Sequence, residues 1–290
     1  MSISEVQKPY QIERRPLSVG TLVQTMLLYA ALGVVALLVL LPLLFALSLS
    51  LQGPTIAPTL LPDFGKLDWS SFSTVFREEP NLTRWIVNSF VVALAVTLGQ
   101  LITSALAAYA LANMNFPGKI FFFFFFLGTL MIPWESTIIP NYLAVTRLGW
   151  KDSYQGLIAP FLAGGFGIFL LRQYFLVIPR DLYEAAVLDG CGYARYLWSI
   201  LLPLSRPALA TLAVYTFLNT WNQYYWPLLI VDSPAWRTTQ IGITAFRSSE
   251  VTVYNLQMAS TIIVMLPTLI LLVLGQRQLV RGLTAGALKG

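Results

Sequence analysis

The chain has 290 residues, of which 57% are hydrophobic and 11% are charged, with a formal net charge of +5. A soluble domain carries about 25% charged residues, so this composition excludes water as the main surroundings and favours a helical bundle in a bilayer. One cysteine and no histidine exclude an intrachain disulfide, a Ser-His-Asp triad and an HExxH zinc site.

The predicted elements begin with a polar segment, 1–25, and an apolar run that is too long for a signal peptide. We interpret that run as a retained first membrane span. Further segments also reach the roughly 20 apolar residues that a helix needs to cross the hydrocarbon core. The predicted spans are 26–49, 88–111, 120–145, 153–178, 207–231 and 256–274.

These spans predict an all-α membrane protein with six transmembrane helices in one domain, 26–276, followed by a C-terminal tail, 277–290. Pro133, Pro160 and Pro267 interrupt three of the spans. The backbone groups that a proline frees need new partners in lipid. The prolines are compatible both with ordinary kinks and with hinges beside a moving pathway. Six consecutive phenylalanines, 121–126, predict a surface that faces lipid.

The distribution of basic residues predicts the orientation. With both termini in the cytoplasm, 11 of the 18 lysines and arginines fall on the inside. Such an excess in cytoplasmic segments is the usual bias of membrane proteins. Topology therefore explains the positive net charge, and no nucleic-acid partner is expected.

The segment 179–206 is amphipathic, too polar to span, and cytoplasmic in this topology. Asp181 with Glu184 three residues later predicts a helix N-cap. Gly190 and Gly192 allow positive φ and predict the end of that helix. Apolar residues at helical spacing predict a second helix after the glycines. From these features alone, a helix pair resting on lipid remains an alternative.

This segment resembles the EAA loop of binding-protein-dependent ABC importers. The family pattern is Glu-Ala-Ala, three residues, Gly, nine residues, Ile, one residue, Leu-Pro. The chain matches it at Glu184, Ala185, Ala186, Gly190, Ile200, Leu202 and Pro203. The ending 280–290, the stretch 221–230 and Met131 to Pro133 are similar to the second permease subunit of carbohydrate importers of the maltose and glycerol-3-phosphate type.

The resemblance implies a type I importer permease fold in which the EAA loop docks on an ATPase subunit. The residues implied in that coupling are Glu184, Ala185, Ala186, Asp189, Gly190, Ile200 and Pro203. Glu184 would pair with a basic or donor group, and such charge-assisted contacts are short and directional. Lys289 and Gly290, in the tail, are implied to reach the ATPase dimer as well.

The implied assembly is a multi-pass complex of the bacterial inner membrane. Its partners are a second permease subunit, two ATPase subunits and an extracytoplasmic substrate-binding protein. The chain lacks the Gly-x-x-x-x-Gly-Lys-Ser/Thr phosphate loop. It is therefore expected to bind no cofactor or metal and to carry no catalytic residue, while the ATPase partner uses ATP and Mg²⁺.

Candidate substrate-pathway residues lie in the third and fifth spans. Glu135 is an acid within a span, and such residues are functional candidates. The fifth span holds amides and aromatic rings, which suit sugar hydroxyls and flat sugar faces. These residues are Asn219, Trp221, Asn222, Gln223 and Tyr224. Hydrogen bonding between helices is the alternative role for this group.

Other functions remain open at this point. The favoured cargo is a sugar or oligosaccharide, and the alternative within the same class is glycerol-3-phosphate or another polyol derivative. An ion-coupled secondary transporter is the alternative from another class, although internal repeats and paired intramembrane charges are not evident. An intramembrane enzyme is disfavoured because histidine is absent.

Overall fold

The computed structural model describes residues 19–53, 67–246 and 254–284, and within these ranges the structure is helical with no strand. The residues outside this description are 1–18, 54–66, 247–253 and 285–290. The last of these ranges includes Lys289 and Gly290, so their predicted role lies outside the described residues. The helices of the described ranges are α1 (Val19–Ser50), α2 (Ser70–Glu78), α3 (Leu82–Asn113), α4 (Lys119–Thr129), α5 (Trp134–Arg147), α6 (Tyr154–Ile158), α7 (Gly165–Val177), α8 (Arg180–Leu188), α9 (Tyr193–Tyr196), α10 (Leu202–Leu204), α11 (Arg206–Trp221), α12 (Tyr225–Ile230), α13 (Thr239–Gly242) and α14 (Tyr254–Thr284).

Three helices are continuous, apolar and long enough to cross a membrane: Leu22–Ser50, Leu82–Asn113 and Tyr254–Gln276. They coincide with the first, second and sixth predicted spans. The second begins six residues before its predicted start because the amphipathic turn Leu82–Val87 continues the same helix. The chain is therefore a helical membrane protein with three to six spans.

The remaining candidate spans are bent pairs. α4 and α5 meet at 97°, and the helical stretch Tyr154–Phe161 meets α7 at 45°. Pro133 occupies the position before α5 with extended ψ, so the helix stops and restarts there. The fifth predicted span, 207–231, is wrong as a single helix, because α11 ends at Trp221 and α12 begins at Tyr225.

Neighbouring side chains satisfy the backbone where the fourth span breaks. Gln100 of α3 donates from Nε2 to the carbonyl of Phe161 at 2.9 Å, and its Oε1 accepts from Thr216 of α11 at 3.1 Å. Thr103 donates to the carbonyl of Leu162 at 2.8 Å. These hydrogen bonds satisfy the carbonyls that the break leaves unpaired, because lipid offers no water to do so. They also connect α3 to α11.

The centre of the bundle is α3, which packs against α7 and α11, while α14 packs against α11 and α1. Close approach of α3 and α7 requires Gly167, because a Cβ there would overlap the Ser104 hydroxyl. The phenylalanines of α4 lie at the margin, and Phe121, Phe122, Phe124 and Phe125 are exposed. That exposure agrees with their predicted lipid-facing position.

Candidate functional site

The EAA segment, residues 179–206, folds as helix, glycine turn, helix. α8 begins at Arg180, directly after Pro179. The prediction that Asp181 caps this helix is wrong, because Asp181 lies in the first turn and its side chain accepts no capping bond. Pro179, with φ −56° and ψ 135°, occupies the cap position instead and sets the direction of entry. Asp181 still suits the positive end of the helix dipole.

Gly190 ends α8 in a Schellman turn. The Cys191 N–H donates to the Ala186 carbonyl at 2.8 Å, and the Gly190 N–H donates to the Val187 carbonyl at 3.0 Å. This pair of hydrogen bonds requires a residue in the left-handed conformation directly after the helix, and Gly190 has φ +75°. Gly192, which was predicted to share that conformation, has φ −76° and instead starts the next helix.

The second half of the EAA segment contains a wide π turn, Leu197–Leu201, between α9 and α10. Pro203 follows it at the start of α10. Proline has no N–H to donate and its ring displaces the carbonyl four residues before. The wide turn accommodates both effects. Ile200 is half-buried against the core, whereas Pro203 is exposed.

The two faces of α8 differ. Glu184 and Ala185 are exposed, as are Asp189 and Gly190 beyond the helix. Ala186 is only 6% exposed and belongs to a core cluster with Phe175 of α7 and other residues of α3 and α11. The implied contact of Ala186 with an ATPase is therefore not available to its side chain. The free face of the helix presents Glu184 and Ala185.

A tyrosine cluster attaches the buried face of α8 to the bundle. Tyr183 meets the Tyr196 ring edge to face, with centroids 5.0 Å apart. The ring centroid of Tyr196 in turn lies 6.4 Å from that of Tyr109 in α3. Burial, followed by the nearby Tyr193, raises the pKa of Tyr183 above its usual range, so this ring stays neutral. The packed rings thus link α8 to α3 through α9.

A cavity of about 370 Å³ lies at the other end of α11, where α11 breaks before α12. Its lining residues are Trp134, Leu218, Asn219, Asn222, Gln223, Tyr224, Tyr225 and Trp226. The predicted residues Asn219, Asn222, Gln223 and Tyr224 thus share one cavity. At 16 residues, α11 is about 24 Å long and joins this cavity to the EAA segment.

Two predicted pathway residues are outside the lining. Trp221 is 1% exposed, donates from Nε1 to the Val264 carbonyl at 3.2 Å, and stacks on Phe217. It therefore packs α11 against α14 and does not face the cavity. Glu135 is exposed in the first turn of α5, next to the lining residue Trp134.

Sequence reasoning missed the aromatic wall of the cavity. Trp134 and Trp226 have ring centroids 5.8 Å apart, and the Trp226 Nε1 donates to the Gly156 carbonyl at 3.0 Å. The bend between α4 and α5 brings Trp134 to α12. A tryptophan directly after Pro133 was the available signal, but the direction of the bend is not encoded locally.

The amide nitrogens of Asn219 and Asn222 each donate a hydrogen bond within α11 or at its end. Asn219 donates from Nδ2 to the Tyr215 carbonyl, and Asn222 donates from Nδ2 to the Leu218 carbonyl, both at 2.8 Å. Only the nitrogen of an amide can donate to a carbonyl, so these bonds fix the orientation of both side chains. The Asn219 Oδ1 accepts no hydrogen bond from the described residues, whereas the Asn222 Oδ1 already accepts from Nε2 of Gln240 at 3.3 Å. The cavity lining contains no basic side chain.

The family described as binding-protein-dependent transport system inner membrane component matches residues 104–284. The chain belongs to this family. The match includes the whole EAA segment and the cavity residues, so the resemblance carried by Glu184 to Pro203 is confirmed. This permease is therefore an inner membrane component of a binding-protein-dependent transport system.

Curated relatives include the sn-glycerol-3-phosphate transport system permease protein UgpE. The Yersinia pestis bv. Antiqua protein is 42% identical over 200 residues, covering 68% of this chain and 71% of the relative. The Pectobacterium atrosepticum protein is 43% identical over the same length and coverage. The Brucella abortus protein is 40% identical over 205 residues, covering 70% and 73%.

Solved structures share the fold. A chain of a bacterial ABC transporter involved in the import of the acidic polysaccharide alginate superposes with TM-score 0.79 at 23% identity, covering 91% of this chain and 99% of that chain. A chain of a bacterial alginate ABC transporter in complex with an alginate pentasaccharide-bound periplasmic protein gives TM-score 0.64 at 16% identity, covering 88% and 94%. At these identities the likeness shows the fold alone.

Proposed function

We propose that this permease pairs with a second permease subunit and two ATPase subunits in the bacterial inner membrane, with six spans and both termini in the cytoplasm. In this proposal, an extracytoplasmic binding protein delivers the cargo, and the ATPases use ATP and Mg²⁺ to drive alternating access. The observation that carries it is the free face of α8, where Glu184 and Ala185 are exposed on a helix anchored by Ala186.

The mechanism follows from the connection between the two sites. An ATPase docked on Glu184 and Ala185 displaces α8 when it closes. The rings of Tyr183, Tyr196 and Tyr109 carry that displacement into α3. The second half of the EAA segment leads into α11 at an 80° bend, and α11 ends at the cavity. A packed core transmits such shifts because it repacks between discrete arrangements.

The experiment uses proteoliposomes that contain the permease with its partner subunits. Binding protein and labelled cargo are outside, and ATP with Mg²⁺ is trapped inside. We expect uptake with ATP, none with a non-hydrolysable analogue, and none when a sodium or proton gradient is the sole energy source. Uptake driven by an ion gradient without ATP would establish the ion-coupled alternative instead.

The chemistry of the cavity favours a polyhydroxylated cargo. Its exposed amide oxygens accept hydrogen bonds, which suits hydroxyl groups, and its rings suit the apolar faces of a sugar or polyol. A phosphate or carboxylate would meet no basic residue on this wall. The second candidate, a phosphorylated polyol, is favoured by the glycerol-3-phosphate relatives. In that case the phosphate binds the partner subunit, and this wall holds the hydroxyl groups.

Asn219→Leu is expected to raise the cargo concentration for half-maximal uptake about tenfold, because one hydrogen bond of about 1 kcal/mol is lost and a ligand hydroxyl is left unpaired. The measurement is initial uptake in the same proteoliposomes. The control is Asn81→Leu, an amide before α3 that is bonded to Glu79 and outside the cavity lining. Equal curves for the two variants would remove Asn219 from the pathway.

A further inference from the structure

Three basic side chains surround the C-terminal end of α3. Lys119 donates from Nζ to the carbonyls of Ala112, at 3.2 Å, and Met114, at 2.8 Å. Arg172 of α7 donates from Nε to the Leu111 carbonyl at 3.3 Å. Arg180, the first residue of α8, lines a small cavity together with Ala112 and Asn113. Three elements thus bring positive charge to a single point of the bundle.

The positive charge exceeds what the helix end requires. A helix C-terminus carries about half a negative charge, whereas three full positive charges stand around this one. Lys119 lies within electrostatic reach of both Arg172 and Arg180. Within the described ranges the ion pair formed is Lys151 with Asp232, so none of the three is paired with a carboxylate. An unpaired cluster of this kind in a membrane protein favours an anionic partner.

The Arg172 guanidinium is positioned to bind an anion in a bidentate manner. The face of its guanidinium lies on the Phe123 ring, 3.9 Å from the centroid. Nε is bonded to Leu111, and in the part of the chain that the structure describes Nη1 and Nη2 make no hydrogen bond. A stacked guanidinium with two free donors matches the geometry of a phosphate.

The surface beside the cluster is apolar and unpartnered. α4 starts at Lys119 and exposes Phe121 (68%), Phe124 (61%) and Phe125 (58%). A water-soluble anion would use only the charged end of this surface. An amphiphile with a phosphate head and hydrocarbon chains would use both. Clusters of Lys and Arg between transmembrane helices are known to select anionic headgroups for this reason.

We propose that Lys119, Arg172 and Arg180 bind the phosphate of an anionic phospholipid whose acyl chains lie along the exposed phenylalanines of α4. The site depends on membrane insertion and not on the ATPase or the cargo. Because Arg180 is the first residue of α8, a bound lipid restrains the start of the helix that carries Glu184 and Ala185. Lipid composition then sets how firmly that helix is seated.

The test uses the full-length permease, purified in a neutral detergent and stripped of lipid. Phosphatidylglycerol, phosphatidylcholine and inorganic phosphate are titrated separately, and binding is followed by native mass spectrometry and by the melting midpoint. We expect phosphatidylglycerol to bind and to raise the midpoint, and the other two to do neither. Protection by inorganic phosphate equal to that by phosphatidylglycerol, or no preference over phosphatidylcholine, would overturn the proposal.

Variants locate the site. Arg180→Gln changes an exposed side chain and is expected to weaken phosphatidylglycerol binding about fivefold, the effect of one charge near a lipid surface. Lys119→Gln with Arg180→Gln is expected to weaken it about 25-fold, on the same basis. The charge-matched control, Arg77→Gln with Arg84→Gln, removes two exposed arginines near α2 and should bind normally. Equal binding by the control and by Arg180→Gln would contradict the assignment.

Discussion

Ala185→Leu is expected to impair ATPase binding, whereas Ala186→Leu is expected to lower the stability of the permease, although the two residues are adjacent. Ala185 is exposed on the free face of α8, so a larger side chain there is expected to change the free energy of unfolding by less than about 0.5 kcal/mol. The same side chain separates α8 from a docked ATPase. We expect Ala185→Leu to keep the native melting midpoint and to lose at least tenfold in ATPase binding and in ATP-driven uptake.

Ala186 faces Phe175 and the rest of the core cluster at 6% exposure. Three additional carbons in a packed core cost about 1–3 kcal/mol. Ala186→Leu is therefore expected to lower the melting midpoint of the isolated permease before any partner is added. Both variants are measured by fluorescence-detected gel filtration after heating, and by co-purification with the ATPase. If Ala185→Leu destabilises the isolated chain and Ala186→Leu does not, the rotation of α8 is misassigned.

Gly242→Ala is expected to be among the most destabilising single changes in the chain. A Cβ at Gly242 would overlap Cε3 of Trp85 and lie 2.6 Å from Cδ2 and 2.7 Å from Cζ3. Trp85 is 1% exposed, and its Nε1 donates to the Pro234 carbonyl at 2.7 Å, so the ring cannot move aside. We expect a loss of about 2–3 kcal/mol, the upper part of the range for overpacking a core.

Gly128→Ala is the matched control for that variant. Gly128 is also helical, in α4, and a Cβ there meets nothing within 4 Å. Alanine favours a helix interior over glycine by about 1 kcal/mol, so this variant is expected to melt at or above the native midpoint. Equal melting of Gly242→Ala and Gly128→Ala would show that α13 does not pack on Trp85 as described.

The positions of the long helices were predictable from sequence because an apolar run of membrane length has few other solutions. α1, α3 and α14 therefore coincide with predicted spans. The bends were not predictable in the same way, since hydropathy is unchanged across a break. Pro133 marked the boundary between α4 and α5 but not the 97° angle, and the break after Trp221 has no proline within it.

The candidate sites were predictable to a similar depth. The residue types of the EAA segment and its glycine turn follow from the sequence, and Gly190 has the expected positive φ. The division between Ala185 and Ala186 depends on how α8 is rotated against α7, which is a tertiary property. The same limit explains why Trp221 was grouped with the cavity residues. Its neighbours Asn219 and Asn222 line the cavity, but Trp221 lies a different way around the helix.

The most direct test of the docking role of α8 is co-purification of the tagged permease with its ATPase, comparing Glu184→Arg with Glu78→Arg. Both glutamates are exposed on helices, and only Glu184 lies in the EAA segment. We predict that the native chain and Glu78→Arg retain the ATPase, whereas Glu184→Arg loses at least nine-tenths of it while remaining folded in the membrane. Equal retention by both variants would contradict the coupling role of this helix.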